Sequence, residues 1–427
     1  MKHKISKVLG RMVFDSRGIP TVEAEIISNS GLIARAIAPA GSSKGKKEAY
    51  EKRDKGRYFN GLSVFKNVNI INKDINKLLN GINLEDQDKI DKLLIDLDGT
   101  KNKKKLGANT TVAVSMCALK LAAICNKKSL WDYINEYNNQ LLPLPQIQII
   151  GGGSHAKGSL SLQDFLIIPN GAESFSIALE WVFKIYMLAG EELSKKNMLY
   201  GVADEGGYWP SFSKNEDALD FLTNTIEKAG FKPFKQISIA IDAASNNFKF
   251  GASYKLDNKI DITGRDLLSI YTSWLQKYPI ISLEDPFSED DFLLFSELKN
   301  KSPSYLQLVG DDLVVTNAQI IKKAKKHDAI NTVLIKPNQV GTISETKKAL
   351  DVSSSLELMS ILSARSGETE DTIISDLSVG WGIKQLKVGS FTRSERLAKW
   401  NQCLRIGEKL KNNYQMHNNY KLNWHDL

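Results

Sequence analysis

Cysteine is scarce in this chain, with only three residues in 427. Cys117, Cys125 and Cys403 are too few and too far apart for a disulfide framework or a zinc site. Cys117 and Cys125 lie within the apolar stretch 112–125, so we expect them to pack in a hydrophobic core.

Long hydrophobic runs are also missing. No stretch of eighteen or more consecutive apolar residues occurs, so the sequence predicts no membrane span. The first ten residues, MKHKISKVLG, lack the apolar segment of a signal peptide. These two features predict a cytoplasmic protein that does not contact a membrane.

A concentrated basic surface is the third absence. The formal net charge is +8, but the lysines are scattered, and the cluster at 101–105 resembles a solvated loop. No basic patch with interleaved aromatics and no nucleic-acid-binding module is recognisable. The charge is compatible with an acidic substrate, and no nucleic-acid partner is predicted.

The overall composition is that of a globular chain with more than one domain. Hydrophobic residues make up 42% and charged residues 25%, and a chain of this length usually forms two or three domains. Strand-like alternation fills the first forty residues, helical patterns follow at 64–79 and 110–123, and a polar stretch occupies 135–140. We predict an N-terminal α+β domain at residues 1–138, a catalytic domain at 139–415 and a C-terminal tail at 416–427.

The second predicted domain has a repeating pattern. Short apolar runs recur roughly every 25 residues with helix-like stretches between them, which is typical of a parallel sheet. The length of this region favours a closed α/β barrel, which typically needs about 250 residues. The six runs are 237–241, 280–283, 306–309, 332–335, 358–362 and 385–388.

Charged and polar residues stand at the C-terminal ends of these runs. Barrel enzymes place their catalytic groups at that edge. Any one of these acids could instead cap a helix, but their recurrence on successive strands argues for a shared site. They are Asp242, Glu284 with Asp285, Asp311 with Asp312, Lys336, the tetrapeptide 363–366 and Lys387.

Three of the acids have the chemistry of a metal site. Carboxylates of Asp242, Glu284 and Asp311 on adjacent strands would form an all-oxygen ligand set, which Mg²⁺ prefers. Lys336 ends the next strand. An ammonium close to a divalent cation loses its proton more easily and can then act as a general base.

The last strands add donors for an anion. Arg365, Ser366 and Lys387 would present hydrogen-bond donors and positive charge to a phosphate or a carboxylate. A lysine base, a divalent metal and an anion clamp together predict abstraction of a proton next to a carboxylate. The handling of ene-diolates by a lysine and metal ions is a known solution to that chemistry.

Several longer motifs resemble those of the enolase family, in the family's order, over about residues 4 to 410. Their joint occurrence is highly specific. They are DSRGIPTVE at 15–23, LDGT at 97–100, GAN at 107–109, DEGGY at 204–208, SLEDP at 282–286, VGDDL at 309–313, LIKPNQVG at 334–341, RSGETED at 365–371 and RSERLAK at 393–399.

The resemblance implies a fold, a reaction and a cofactor. The fold would be an N-terminal α+β domain followed by an eight-unit enolase-type α/β barrel, usually paired into homodimers. The reaction would be magnesium-dependent dehydration of 2-phosphoglycerate, a small phosphorylated anion, to phosphoenolpyruvate by a carbon–oxygen lyase of glycolysis. In enolases, the counterparts of Asp242, Glu284 and Asp311 hold the first Mg²⁺, and Ser43 matches a lid residue that reaches a second.

The resemblance also implies roles for the remaining residues. Lys336 matches the base that removes the C2 proton, and Glu205 matches the acid that protonates the departing C3 hydroxyl. Asp164 stands at the position of an active-site glutamate. Substrate-binding positions match Gln163, His155 on a loop over the site, Arg365, Ser366 and Lys387.

Five positions depart from the family pattern. Ala364 replaces a substrate-contacting histidine, and Asp164 is one carbon shorter than the usual glutamate. Lys44 replaces a lid threonine, Gly151 an asparagine and Ala203 a glycine.

These departures leave three hypotheses: an enolase; an enolase-derived enzyme acting on a related phospho- or phosphono-acid, for example in phosphonate biosynthesis; or a non-catalytic binding protein. The third is disfavoured because the predicted metal, base and acid positions are all intact.

Overall fold

The computed structural model describes residues 3–136, 140–156, 160–257, 259–418 and 422, with the backbone alone for 259–261. The predicted domain boundary at 138/139 and most of the predicted tail lie outside the described residues. The boundaries therefore stay predictions.

The N-terminal region is an antiparallel three-stranded meander covered by helices. Alternating apolar residues in the strands face α4, which packs against β2 and β3. Its elements are β1 Ile5–Phe14, β2 Pro20–Ser28, β3 Ile33–Ile37, α1 Phe65–Ile70, a π-helical turn Ile71–Ile75, α2 Asn76–Leu79, α3 Gln87–Asp98, α4 Ala108–Cys125 and α5 Leu130–Tyr133, preceded by a 3-10 turn at Tyr58–Gly61.

Helix α4 is the most apolar helix of this region. Cys117 and Cys125 lie on it and are buried with free thiols, as expected. By length and composition α4 is the one described helix that would be long and apolar enough to cross a membrane, and 89% of it is buried inside the fold. Core helices share these properties, so α4 is weak evidence for a span.

The second region contains thirteen strands in chain order. They are β4 Leu144–Gly151, β5 Asp164–Ile168, β6 Leu199–Val202, β7 Tyr208–Pro210, β8 Ser238–Asp242, β9 Lys249–Phe250, β10 Ser253–Leu256, β11 Lys259–Ile262, β12 Ile280–Glu284, β13 Gln307–Gly310, β14 Thr332–Ile335, β15 Met359–Ser363 and β16 Gln385–Gly389.

Eight of these strands close into a barrel, which confirms the predicted fold class. The order around the barrel is β4, β5, β8, β12, β13, β14, β15 and β16, and β16 pairs with β4 to complete the circle. Hairpin β6–β7 attaches to β4, and β9–β11 form a separate small sheet.

Strand β5 differs from a fully parallel barrel, because it runs antiparallel to both β4 and β8. Among its described residues, the connection 152–163 holds a 3-10 turn, Gly153–Ala156, and no α-helix. A parallel neighbour requires a crossover connection, usually a helix, whereas a short connection reverses the chain. The first residue of β5 therefore lies at the same barrel edge as the last residues of its neighbours.

Helices of the second region cover the outside of the barrel. Several begin at side-chain caps, including Thr263, Asn317 and Thr342, each of which accepts a hydrogen bond from the following turn. The helices are α6 Phe175–Lys195, α7 Asn215–Lys228, α8 Gly264–Lys277, α9 Phe292–Lys301, α10 Ala318–Lys326, α11 Pro337–Val340, α12 Ile343–Ser355, α13 Ile373–Gly380 and α14 Ser394–Leu410.

Candidate active site

The C-terminal ends of the barrel strands bring the predicted metal ligands to one mouth. Asp242 and Glu284 are the last residues of β8 and β12 and are paired in register. Asp311 directly follows β13, and Lys336 follows β14 at the N-cap of α11. All four side chains are buried.

Two lysines hold these carboxylates in place. The Nζ atom of Lys387 lies 2.7 Å from Oδ2 of Asp242 and 2.7 Å from Oε2 of Glu284. Lys336 donates a hydrogen bond from Nζ to Oδ2 of Asp311. The mouth therefore alternates cationic and anionic groups, and each buried charge has an opposite charge beside it.

The predicted metal ligands do not form one tight cluster in this arrangement. Among the described residues, two other groups bring three ligand atoms within 4.8 Å of one another. One is His155, Asp164 and Glu205; the other is Asp285, Asp311 and Asp312. Asp242 and Glu284 instead flank the ammonium of Lys387.

Glu284 nevertheless fits a divalent cation. Its Oε1 is buried without a hydrogen-bond partner, although Oε2 accepts from Lys387. Burial, and then the charges of Asp242 and Asp311, raise the pKa of Glu284 well above its usual range. A hard cation beside Oε1 would satisfy this oxygen and offset the repulsion among the acids.

The two lysines respond to the same field. Burial alone would lower the pKa of each ammonium. The carboxylate of Asp311 nevertheless raises the pKa of Lys336 above its ordinary value. Asp242 and Glu284 together raise the pKa of Lys387 well above its own ordinary value. Both lysines are therefore cationic while these acids are ionised.

Asp285 supports the metal-ligand loop from below. Its Oδ1 accepts the backbone N–H of Asp311 at 3.1 Å, and its Oδ2 accepts that of Asp312 at 2.6 Å. Its own backbone has φ of 42°, an uncommon conformation for a residue with a Cβ atom. These bonds fix the chain direction at the end of β13.

A second group of ionisable side chains lies on the opposite side of the mouth. Nδ1 of His155 is 2.9 Å from Oδ1 of Asp164, and Nε2 is 3.8 Å from Oε1 of Glu205. Burial lowers the pKa of His155, but the two carboxylates outweigh it and raise that pKa to about 9. Burial raises the pKa of Glu205, which suits a group that must carry a proton.

Glu205 reaches this position through a tight turn between β6 and β7. Gly206 has φ of +96°, and a Cβ atom there would lie 2.9 Å from the carbonyl oxygen of Thr392. Glycine is therefore required at this turn. The backbone carbonyl of Glu205 also accepts from the N–H of Ser390 at 2.8 Å, which ties the turn to the end of β16.

The predicted anion clamp lies beneath the loop 41–47. Arg365 donates to Glu48 at 3.1 and 3.2 Å and to the carbonyl oxygen of Ser43 at 3.0 Å. Oγ of Ser366 accepts the N–H of Ser42 at 2.7 Å. Ser43 thus meets the barrel through its backbone, and the loop covers the site.

Gln163 and Ala364 complete the mouth. Nε2 of Gln163 donates to Oδ2 of Asp242 at 3.1 Å. Ala364 is buried, and its N–H donates to the carbonyl oxygen of Lys387 at 2.8 Å. The structure therefore places every residue predicted for the site at this mouth or on the loop above it.

Sequence reasoning missed two residues that touch the predicted groups. Glu48 pairs with Arg365, but an acid among lid lysines carries no distinctive signal. Gln148 is fully buried and bonded to Asp164. Its signal was visible as one of two polar residues in the otherwise apolar strand LPQIQIIG.

Comparisons with known proteins agree with this architecture. The family model "Enolase, N-terminal domain" matches residues 5–134, and "Enolase, C-terminal TIM barrel domain" matches residues 139–423. The chain belongs to the enolase family. It is 42% identical to an enolase of Ehrlichia canis (strain Jake) over 411 residues, or 95% of this chain and 96% of that protein. It is 44% identical to an enolase of Pelagibacter ubique (strain HTCC1062) over 408 residues, or 95% and 97%.

Within this enolase-family site, the departures from the family pattern are neighbours in space. Asp164 and Ala364 both lie next to Lys387. A Cβ atom at Gly151 would fall 2.4 Å from Cβ of Ala203, so these two positions also touch.

Proposed function

We propose that this chain dehydrates 2-phosphoglycerate to phosphoenolpyruvate as an enolase-type hydro-lyase, with Mg²⁺ as its cofactor. Membership of the enolase family over nearly the whole chain supports the reaction. The observation that carries the residue assignment is the buried contact of Lys336 with Asp311, beside Asp242 and Glu284.

Asp242, Glu284 and Asp311 would hold the first Mg²⁺, and Ser43 on the loop would reach a second. A divalent ion at these acids supplies positive charge that stabilises the ene-diolate formed when the α-proton leaves. The unpartnered Oε1 of Glu284 supports this ligand set. The choice of Mg²⁺ over other hard divalent ions rests on the enolase resemblance.

Lys336 takes the C2 proton. Asp311 holds that ammonium in its protonated form in this structure, so Lys336 becomes a base only when the charge of Asp311 is engaged elsewhere. With its proton released, the neutral amine accepts the hydrogen of C2, and the electron pair of that C–H bond passes into the ene-diolate.

Glu205 acts as the acid on the other side of the mouth. It gives its proton to the C3 hydroxyl, the C3–O bond breaks, and water departs. Its raised pKa, caused mainly by burial, supports a protonated carboxyl near neutral pH. Asp164 acts with it through His155, which lies between the two carboxylates.

Gln163, His155, Arg365, Ser366 and Lys387 bind the phosphorylated anion. The fork of Arg365 suits a phosphate. Its present partners, Glu48 and the carbonyl of Ser43, belong to the covering loop, so substrate binding and loop position are linked through one guanidinium. A homodimer, a cytoplasmic location, the absence of nucleic-acid and membrane partners, and the domain boundaries stay predictions.

Exchange of the substrate's α-hydrogen tests the role of Lys336. Lys336→Ala should abolish exchange of the C2 hydrogen of 2-phosphoglycerate with deuterated solvent at saturating Mg²⁺, while the circular dichroism spectrum stays native. Lys347→Ala removes a lysine from an ion pair on α12 and serves as the matched control. Exchange that persists in Lys336→Ala would assign the proton to another residue.

A second candidate is an enolase-derived enzyme for a related phospho- or phosphono-acid. Ala364 and Asp164 favour it, because both are smaller than the family's usual residues and lie at the predicted pocket. Absence of phosphoenolpyruvate formation by the purified protein, with Mg²⁺ binding intact, would select this second candidate.

A further inference from the structure

Gln148 bridges two parts of the candidate site. It lies on β4 and is fully buried. Its Nε2 donates to Oδ1 of Asp164, and its Oε1 accepts the backbone N–H of Gly207 at 2.7 Å. Gly207 lies two residues after Glu205. One amide therefore connects the strand of Asp164 to the turn that carries Glu205.

This bridge orients the carboxylate of Asp164. Oδ1 accepts from both Gln148 and His155, whereas Oδ2 is buried with no hydrogen-bond partner. Oδ2 lies 4.0 Å from Nζ of Lys387. Two donors on one oxygen leave the other oxygen directed toward the centre of the mouth.

The side-chain lengths of the pair are matched. Aspartate is one carbon–carbon bond shorter than glutamate, a difference of about 1.5 Å. Glutamine is longer than asparagine by the same amount and reaches across to Asp164. The amide and the carboxylate meet because the longer member stands on β4 and the shorter on β5.

Missing side-chain atoms next to Gln148 leave room for its reach. A Cβ atom at Gly151 would fall 3.4 Å from Nε2 of Gln148 and 2.4 Å from Cβ of Ala203. A Cβ atom at Gly207 would fall 2.6 Å from Oε1 of Gln148. Any larger side chain at either glycine would displace the amide from its two partners.

We propose that Gln148 is a positioning residue for this site. It holds Asp164 with Oδ2 facing the mouth and keeps Asp164 in register with the Glu205 turn. The proposal rests on the function proposed above, because it assigns Gln148 a part in the work of Asp164 and Glu205. Gln148 itself does not touch the reacting atoms.

Exchanging the two lengths tests this proposal. Gln148→Asn shortens the amide and should lower kcat for phosphoenolpyruvate formation about 10- to 100-fold, as expected for loss of a hydrogen bond to a charged group. Asp164→Glu alone, which lengthens the carboxylate against an unshortened amide, should also lower kcat. The double variant Gln148→Asn with Asp164→Glu restores the summed length and should recover to within about three-fold of wild type.

Gln146 provides the matched control. It lies two residues earlier on β4, is buried, and its Nε2 has no hydrogen-bond partner. Gln146→Asn makes the same truncation on the same strand, and it should leave kcat unchanged even if the melting temperature falls. Losses of kcat that simply multiply in the double variant, or an unaffected Gln148→Asn, would overturn the proposal.

Crystal structures of the same variants separate this proposal from the function it rests on. Oδ2 of Asp164 should rotate away from Lys387 in Gln148→Asn, and the carboxylate should return in the double variant. These shifts would support the role of Gln148 even if wild type lacks activity on 2-phosphoglycerate, an outcome that would refute the proposed function alone. An unmoved Asp164 in Gln148→Asn would refute the positioning role.

Discussion

The Nζ atom of Lys387 lies 2.7 Å from Oε2 of Glu284, while Oε1 of the same carboxylate is buried without a hydrogen-bond partner. An ammonium satisfies only one side of this acid. Because an unsatisfied buried oxygen on a charged group costs free energy, the arrangement suits a site completed by a second cation.

Glu284→Gln should therefore weaken Mg²⁺ binding. The amide keeps the shape of the side chain but removes the negative charge of one ligand. Loss of an outer partner of a metal ligand already costs about 10- to 100-fold in affinity, so we expect at least that loss in calorimetric titration. Asp376→Asn, which neutralises a buried acid of α13, should bind Mg²⁺ like wild type. Equal affinity of Glu284→Gln and wild type would remove Glu284 from the site.

The contact between Gly151 and Ala203 predicts a non-additive pair. Gly151→Ala places a methyl group where Cβ of Ala203 would be only 2.4 Å away. Such overpacking typically costs about 1–3 kcal/mol of unfolding free energy. Adding Ala203→Gly removes the obstructing methyl and should return part of that loss, as measured by urea denaturation of both single variants and the double variant. Strictly additive changes would show that the chain relaxes around the new methyl in another way.

Asp376 gives the protein a predicted pH dependence of stability. Burial raises its pKa to about 6, although Nε2 of Gln402 donates to both its oxygens at 3.2 Å. The folded protein thus binds this proton more tightly than the unfolded chain, where the pKa is about 3.9. The resulting stability is present below about pH 4 and is lost as pH rises through about 6.

Asp376→Asn cannot ionise and should escape that loss. Two pKa units correspond to about 3 kcal/mol. The unfolding free energy of the variant relative to wild type should therefore rise by up to about 3 kcal/mol between pH 4 and pH 7. Urea titrations across that range measure it. A difference between the two proteins that does not change with pH would contradict the raised pKa.

Ala364 tests whether the pocket is a weakened enolase site or a rebuilt one. Ala364→His restores a donor next to the backbone of Lys387, and we expect it to act together with the length exchange at Gln148 and Asp164. If 2-phosphoglycerate is the substrate, the triple variant should form phosphoenolpyruvate about 10-fold faster than wild type, followed by absorbance at saturating Mg²⁺. Turnover by wild type as fast as an ordinary enolase would show that Ala364 costs nothing.

The amino-acid sequence determined the barrel's repeating part by itself. All six predicted apolar runs are strands, each within one residue of its predicted ends. Continuous apolar runs bounded by polar residues identify buried parallel strands because both faces of such strands are covered. The residues ending those runs could be predicted as one site because the carboxyl ends of parallel barrel strands meet at one edge.

Local pattern could not predict the other half of the site. Asp164 precedes its strand, so a rule based on strand C-termini does not find it; its position was predicted from motif resemblance alone. The antiparallel direction of β5 brings it to the mouth, opposite Asp242 in register. That direction depends on how the chain closes after β4, which the alternation of apolar residues does not encode.

Tertiary structure alone decided which charges touch. Lys387 meets Asp242 across 145 positions of sequence, and Arg365 meets Glu48 across 317. The bridge from Gln148 to Asp164 and Gly207 likewise depends on three separate segments. Burial periodicity reports whether a side chain faces the core, but the partner of a buried polar group is set by the closure of the barrel and the docking of the loop, where each desolvated charge requires an opposite charge or a donor within hydrogen-bond distance.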